Sequence, residues 1–121
     1  MGAMKLGSYR ELHVWQKSVE LAGLVYSLTE VFPSDERFAL VSQIKRSAVS
    51  IPSNIAEGSR RGTKKDFRHF VLIAFGSGAE LETQLEIAKN LGFGRKEDYA
   101  KVLVLLDDVM RMLNKLAKSL E

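Results

Sequence analysis

Ser50-Ile51-Pro52-Ser53-Asn54-Ile55-Ala56-Glu57-Gly58 decides how this chain is read, because it sets a proline and small polar residues inside a long amphipathic pattern. A proline within a helix removes a backbone donor and clashes with the preceding turn, a cost of about 3 kcal/mol that packing must offset. Two stripes of helical period run through the segment. Leu40, Ile44, Ala48, Ile51 and Ile55 form an apolar stripe that predicts a core-facing surface. Beside it Gln43, Ser47, Ser50, Asn54 and Glu57 recur at spacings of four, three, four and three. Polar groups so close to a core need hydrogen-bond partners or a wet seam between helices or subunits. With Glu80 and Gln84 across the bundle, they are expected to form a structural polar network fixing register and subunit contact, a small-ligand site being the other use.

Outward from this helix, periodicity predicts three more. The first, over residues 10–31, carries two adjacent heptads: Leu12, Trp15, Val19, Ala22, Tyr26, Thr29, and Val14, Ser18, Leu21, Val25, Leu28, Phe32. Together they make a wider apolar face than one small core requires, so another subunit is expected to cover part of it. Pro33 ends this helix, and Ser34 with Asp35 and Glu36 is expected to cap and charge the second, over residues 35–59, which Gly58 and Gly62 stop. Thr63-Lys64-Lys65-Asp66 resembles a capping box with aspartate in the usual glutamate position, opening a third helix. Its inner face reads Phe67, Phe70, Val71, Ala74, Gly78, Leu81, Leu85, Ala88 and Leu91, and Gly76 to Ala79 form a smooth patch suited to the small residues of the second helix. After Gly92 and Gly94, a fourth helix over residues 96–120 presents Tyr99, Val102, Leu103, Leu106, Val109, Met110, Leu113, Leu116 and Leu120 to the core. Leu105 and Met112 lie off that face as candidates for subunit contact. The expected architecture is all-α, an up-down-up-down four-helix bundle over residues 9–121 that assembles as a homo-oligomer. Residues 1–8 are expected to be a tag remnant and disordered N-terminus, Met1-Gly2-Ala3 before Met4 resembling a cloning scar.

Trp15, Phe32-Pro33, Gln43-Ile44, the segment from Ser50 to Gly58, and Ala74-Phe75-Gly76-Ser77 through Glu80-Leu81-Glu82 resemble the bacterial four-helix bundle proteins also called 23S ribosomal RNA intervening-sequence proteins. The resemblance runs in order over residues 9–120. It implies a four-helix bundle that assembles as a ring of five, with no catalytic activity, since the family has no agreed biochemical role. The architecture is similar to that of accessory proteins of diversity-generating retroelements, which suggests nucleic acid or a reverse transcriptase as partner by analogy of fold alone.

Composition narrows the function classes. The 121 residues are 45% hydrophobic and 27% charged, with two prolines, which fits one small domain. The absence of cysteine excludes disulfides, thiolate metal sites and thiol nucleophiles. No stretch approaches a membrane span, and no signal-peptide hydrophobic region is seen, so a cytoplasmic protein with no membrane partner is expected.

Charge is concentrated. Arg60, Arg61, Lys64, Lys65 and Arg68 stand against the single acid Asp66 within nine residues, while the whole chain is only +3. A basic cluster at a helix-helix turn suits phosphate, and a ring would repeat it, although solvated turn residues look the same in sequence. Arg111, Lys115 and Lys118 form a second strip where a helix C-terminus favours cations anyway. A helix-turn-helix reader is disfavoured, since the third helix is too long and apolar along its whole length. Asp66 and His69 are spaced like half of a di-iron site, but His13 has Arg10 rather than a carboxylate three residues before it, so no metal is expected. No histidine is spaced to activate Ser50 or Ser77, and Gly76-Ser77-Gly78 lies within a helix rather than after a strand, so neither a catalytic residue nor a cofactor is expected. Trp15, Tyr26 and the phenylalanines are read as core. Two functions remain open. One is low-specificity RNA or DNA binding through the basic rim; the other is a protein-interaction scaffold using Leu105, Met112 and part of the first helix. Salt separates them, because phosphate binding weakens steeply with ionic strength and apolar docking does not.

Overall fold

The computed structural model describes residues 7–121. Residues 1–6, most of the expected tag remnant and disordered stretch, lie outside the described residues. Ser8 has a defined role: its hydroxyl accepts from the Arg10 amide, its own amide donates to Glu11, and this reciprocal cap opens a 3-10 turn at Tyr9–Glu11.

Four helices follow: α1 (His13–Thr29), α2 (Leu40–Ser59), α3 (Lys64–Asn90) and α4 (Lys96–Ser119). No strand is present among the described residues. α1 packs on α2 and α4, and α3 packs on the same two from the other side, so the helices stand at the corners of a square in up-down-up-down order. Leu21, Val25 and Leu28 of α1 meet Ile44, Ile51 and Ile55 of α2, with Phe67, Leu81 and Leu85 of α3 and Leu106 and Leu113 of α4, all essentially without solvent exposure. Each such side chain contributes about 1.5–3 kcal/mol of burial.

α2 and α3 form the most closely packed pair. α2 runs unbroken across a buried Pro52. Gly58, expected as a stop, lies within α2 and allows the close approach: a Cβ there would stand 2.6 Å from Phe70 Cβ. Gly62, at φ +90°, makes the turn instead. The small patch of α3 divides its work. Ser77 meets Ser50 of α2, whereas Gly78 makes room for the Met110 thioether of α4, and Gly76 faces open space.

Several expectations need correction. α2 starts at Leu40, not near Asp35, because Ser34–Glu36 closes a separate 3-10 turn and Ala39 breaks the helical path at φ −117°, ψ −105°; Ser34 therefore caps no α2 amide. The capping box of α3 is one-sided: Thr63 Oγ1 accepts from the Asp66 amide at 3.1 Å, but aspartate is a methylene shorter than glutamate and no return bond is made among the described residues. On α4, Leu105 is buried and Leu103 is more exposed. The helix touches both α1 and α3, so its buried face is broad enough to include Leu105 beside Val102, Leu106 and Val109. Leu91, expected inside, is 58% exposed because it caps α3 and leaves the core.

Candidate nucleic-acid interface

Antiparallel packing brings the start of α1, the α2–α3 turn and the end of α4 to one end of the bundle, and the basic cluster lies there. The five cations differ in their surroundings. Lys64 and Lys65 are exposed on the first turn of α3, and no acid lies within ion-pair distance of either among the described residues. With Thr63, Arg68, His69, Leu72, Leu120 and Glu121 they line an open groove of about 700 Å³ between α3 and the end of α4. Arg68 is partly tied down: its Nε donates to the Ala117 carbonyl at 3.2 Å, a second donor to an acceptor in the last turn of α4 that the Leu120 amide also reaches, and Glu121 lies 4.0 Å from its outer nitrogen. Arg61 pairs with Glu57 at 2.7 Å and stands over the Phe70 ring at 4.9 Å. Arg60 stands over Tyr9 at 5.4 Å.

Arg10, which sequence reasoning did not place here, joins them. Its guanidinium lies 5.7 Å from the Tyr9 ring centre and 5.4 Å from that of Trp15, and the two rings meet edge to face at 5.3 Å. Trp15 is half-buried and packs against the core, whereas Tyr26, with the Lys45 ammonium 4.5 Å from its ring, and Phe38, 88% exposed beside the break before α2, are not the core residues expected. The pattern Tyr9-Arg10 followed by Trp15 was the available signal, but nothing local in sequence ties it to Arg60. In the second basic strip, Arg111 is held by Asp107 at 2.9 Å and Asp108 at 3.1 Å.

The polar set falls into two groups. Asn54 Nδ2 donates to the Ser50 carbonyl at 2.8 Å and to its hydroxyl at 2.9 Å, and that hydroxyl shares a 2.8 Å hydrogen bond with Ser77. This chain ties α2 to α3. Gln43, Ser47, Ser50, Glu80 and Gln84 line a furrow of about 490 Å³ together with Arg46, and Gln84 Oε1 is buried with no hydrogen-bond partner among the described residues. Glu57 belongs to neither group, since it turns outward to Arg61. Among the described residues, no three histidine or acidic side chains gather as metal ligands, and no helix is long and apolar enough to cross a membrane.

Comparison with known proteins agrees with this architecture. The family model for the 23S rRNA-intervening sequence protein matches residues 10–115. A crystal structure of a protein with unknown function from the S23 ribosomal protein family of Bacteroides thetaiotaomicron VPI-5482 superposes with a TM-score of 0.79, covering 87% of this chain and 95% of that one at 26% identity. A search of curated proteins returned no match. With most of its length, including α1, α2, α3 and most of α4, inside the family match, the chain belongs to the 23S rRNA-intervening sequence protein family.

Proposed function

We propose that this protein is a non-enzymatic, cytoplasmic homo-oligomer that binds RNA or DNA with low sequence specificity through the cationic end of the bundle. The observation that carries the reading is Lys64 and Lys65, exposed in an open groove with Arg68 beside them and no protein anion engaging either lysine among the described residues. Phosphate contacts of this kind give affinity without sequence information. The family's name refers to 23S rRNA, and that of the Bacteroides relative to a ribosomal protein family, which fits an RNA partner. Self-association has its own support: Val19 and Tyr26 on α1, Leu72 and Ile87 on α3 and Val104 on α4 are each more than 40% exposed. A ring of five, as the resemblance implies, would present the lysines five times and turn weak contacts into useful avidity. By the same resemblance, a reverse transcriptase is the first protein partner to test.

The scaffold reading keeps one specific support. Glu20, Leu24, Val104 and Leu105 line a furrow of about 580 Å³ between α1 and α4, with Val104 67% exposed. Leu105 is core, so Val104 and Leu24 would have to do the docking.

Labelled RNA and DNA titrated at about 50 and 200 mM salt separate the two. For single strands the affinity should fall with a logarithmic slope of about −0.7 per phosphate engaged. Changing Arg60, Arg61, Lys64, Lys65 and Arg68 together to alanine should abolish binding. No binding by the native protein at the lower salt would overturn the proposal in favour of the scaffold.

A further inference from the structure

We infer that the nucleic acid bound at this end is single-stranded, and that Tyr9, Arg10, Trp15 and Arg60 form a platform on which its bases stack. The inference rests on the nucleic-acid reading above and adds the class of strand.

Two guanidiniums, those of Arg10 and Arg60, converge on the Tyr9 ring at 5.7 and 5.4 Å, and Arg10 also covers Trp15 at 5.4 Å. Neither arginine has an acid within ion-pair distance among the described residues. Two like charges on one ring repel, so the cluster favours an anion. The planar faces favour a second planar group, since aromatic rings and guanidiniums are both surfaces on which bases stack. An unpaired nucleotide supplies phosphate and planar base together. A duplex supplies phosphates but keeps its bases stacked within itself, and an acidic peptide supplies charge without the plane.

The platform is also built in advance. Ser8 and Glu11 cap the turn that carries Tyr9 and Arg10, and Gln16 Nε2 donates to the Arg10 carbonyl at 2.8 Å, fixing that turn to α1. Arg60 ends α2 and leads into the turn before Lys64 and Lys65, so the platform and the lysines belong to the same end of the bundle.

Trp15 is the single tryptophan of the chain, so its emission reports on this cluster alone. The test titrates the full-length protein with oligo-uridine and oligo-thymidine of about 12 nucleotides, within the span of a single-strand site, and with duplexes of equal length. The expected result is a change in Trp15 emission with single strands only, and affinity for them roughly tenfold above that for duplex. Tyr9→Ala should remove that preference while leaving duplex affinity and the salt slope unchanged. Arg60→Lys keeps the charge and loses the plane, so it should weaken single strands several-fold more than duplex; circular dichroism of both variants checks that the bundle is intact. Equal affinity for both forms with unmoved Trp15 emission, or an equal loss on both in Tyr9→Ala, overturns the platform and leaves the phosphate-binding proposal standing. Binding to neither form overturns both.

Discussion

Each end of α4 is fastened by a side chain that donates to a backbone carbonyl, and the two fastenings sit in opposite surroundings. At its start, the Tyr99 hydroxyl donates to the Phe93 carbonyl at 2.6 Å with the residue only 3% exposed, under an aromatic corner where Phe32 and Phe93 lie 5.6 Å apart. At its end, Arg68 Nε donates to the Ala117 carbonyl at 3.2 Å beside an open groove rimmed by lysines. One end is closed with apolar mass. The other is kept open, and its charged groups are left where a ligand can reach them. The same bundle thus spends its packing where the chain must be held and withholds it where function is proposed.

Glycine gives the sharpest contrast between the ends. Gly94 at the closed end and Gly62 at the open end both have positive φ, +81° and +90°. A Cβ at Gly94 would stand 2.9 Å from Phe32, 3.1 Å from Leu28 and 3.2 Å from Tyr99, whereas one at Gly62 meets nothing within 4 Å. Gly94→Ala therefore adds overpacking, about 1–3 kcal/mol, to the backbone cost of about 1–2 kcal/mol. Urea unfolding should show a loss of about 2–5 kcal/mol for Gly94→Ala and about 1–2 kcal/mol for Gly62→Ala. Equal losses would break the distinction between a packed and an open end.

Tyr99 allows the closed end to be tested by pH. Burial pushes its hydroxyl from 10.0 up to about 12. Because the unfolded chain gives up this proton first, the stability it contributes is fully present below pH 10 and is lost as pH rises toward 12. Tyr99→Phe removes the titration together with the hydrogen bond. It should cost about 1 kcal/mol at neutral pH, and the native protein should then lose up to about 3 kcal/mol relative to the variant across the alkaline window. Parallel stability curves for the two proteins between pH 9 and 12 would show that the corner does not exclude water as the geometry requires.

The contrast also explains what could be read from the residues alone. The bundle was legible because Ile44, Ala48, Ile51 and Ile55, or Leu81, Leu85 and Ala88, repeat at the period that burial imposes. Leu105 was misplaced because a helix touching two neighbours buries a wider arc than a single stripe, and periodicity does not say how wide. The 3-10 turn at Ser34–Glu36 was missed because its serine and two acids also suit an α-helical start. At the candidate site, composition marked the cations but not their states. Arg68 meets Ala117 across 49 residues and Arg60 meets Tyr9 across the length of two helices, so the distinction between a fastened and a free charge arises only in three dimensions. The polar stripe was half legible: Asn54 and Ser50 pair as their spacing allows, while the turn of Glu57 toward Arg61 follows from an i,i+4 attraction equally available in sequence.

Arg68 belongs to both sides of the comparison, and the smallest of the expected effects separates its roles. As a fastening it supplies a charged donor to a partly exposed carbonyl, worth about 1 kcal/mol, while the exposed contact with Glu121 at 4.0 Å adds little. As a cation in the groove of the proposed site it would supply one phosphate contact, and its removal should lower the magnitude of the salt slope by about 0.7 on a single strand. Arg68→Ala should therefore show two losses that respond differently to ionic strength. The stability loss, read by urea unfolding, should persist in high salt because a hydrogen bond to a carbonyl is not a long-range charge interaction; the binding loss should vanish there because screening has already removed the contact. A stability loss that disappeared in salt would mean that Glu121, not Ala117, is the partner that matters. The open end would then lack a fastening comparable to Tyr99, and α4 would be anchored at its start alone.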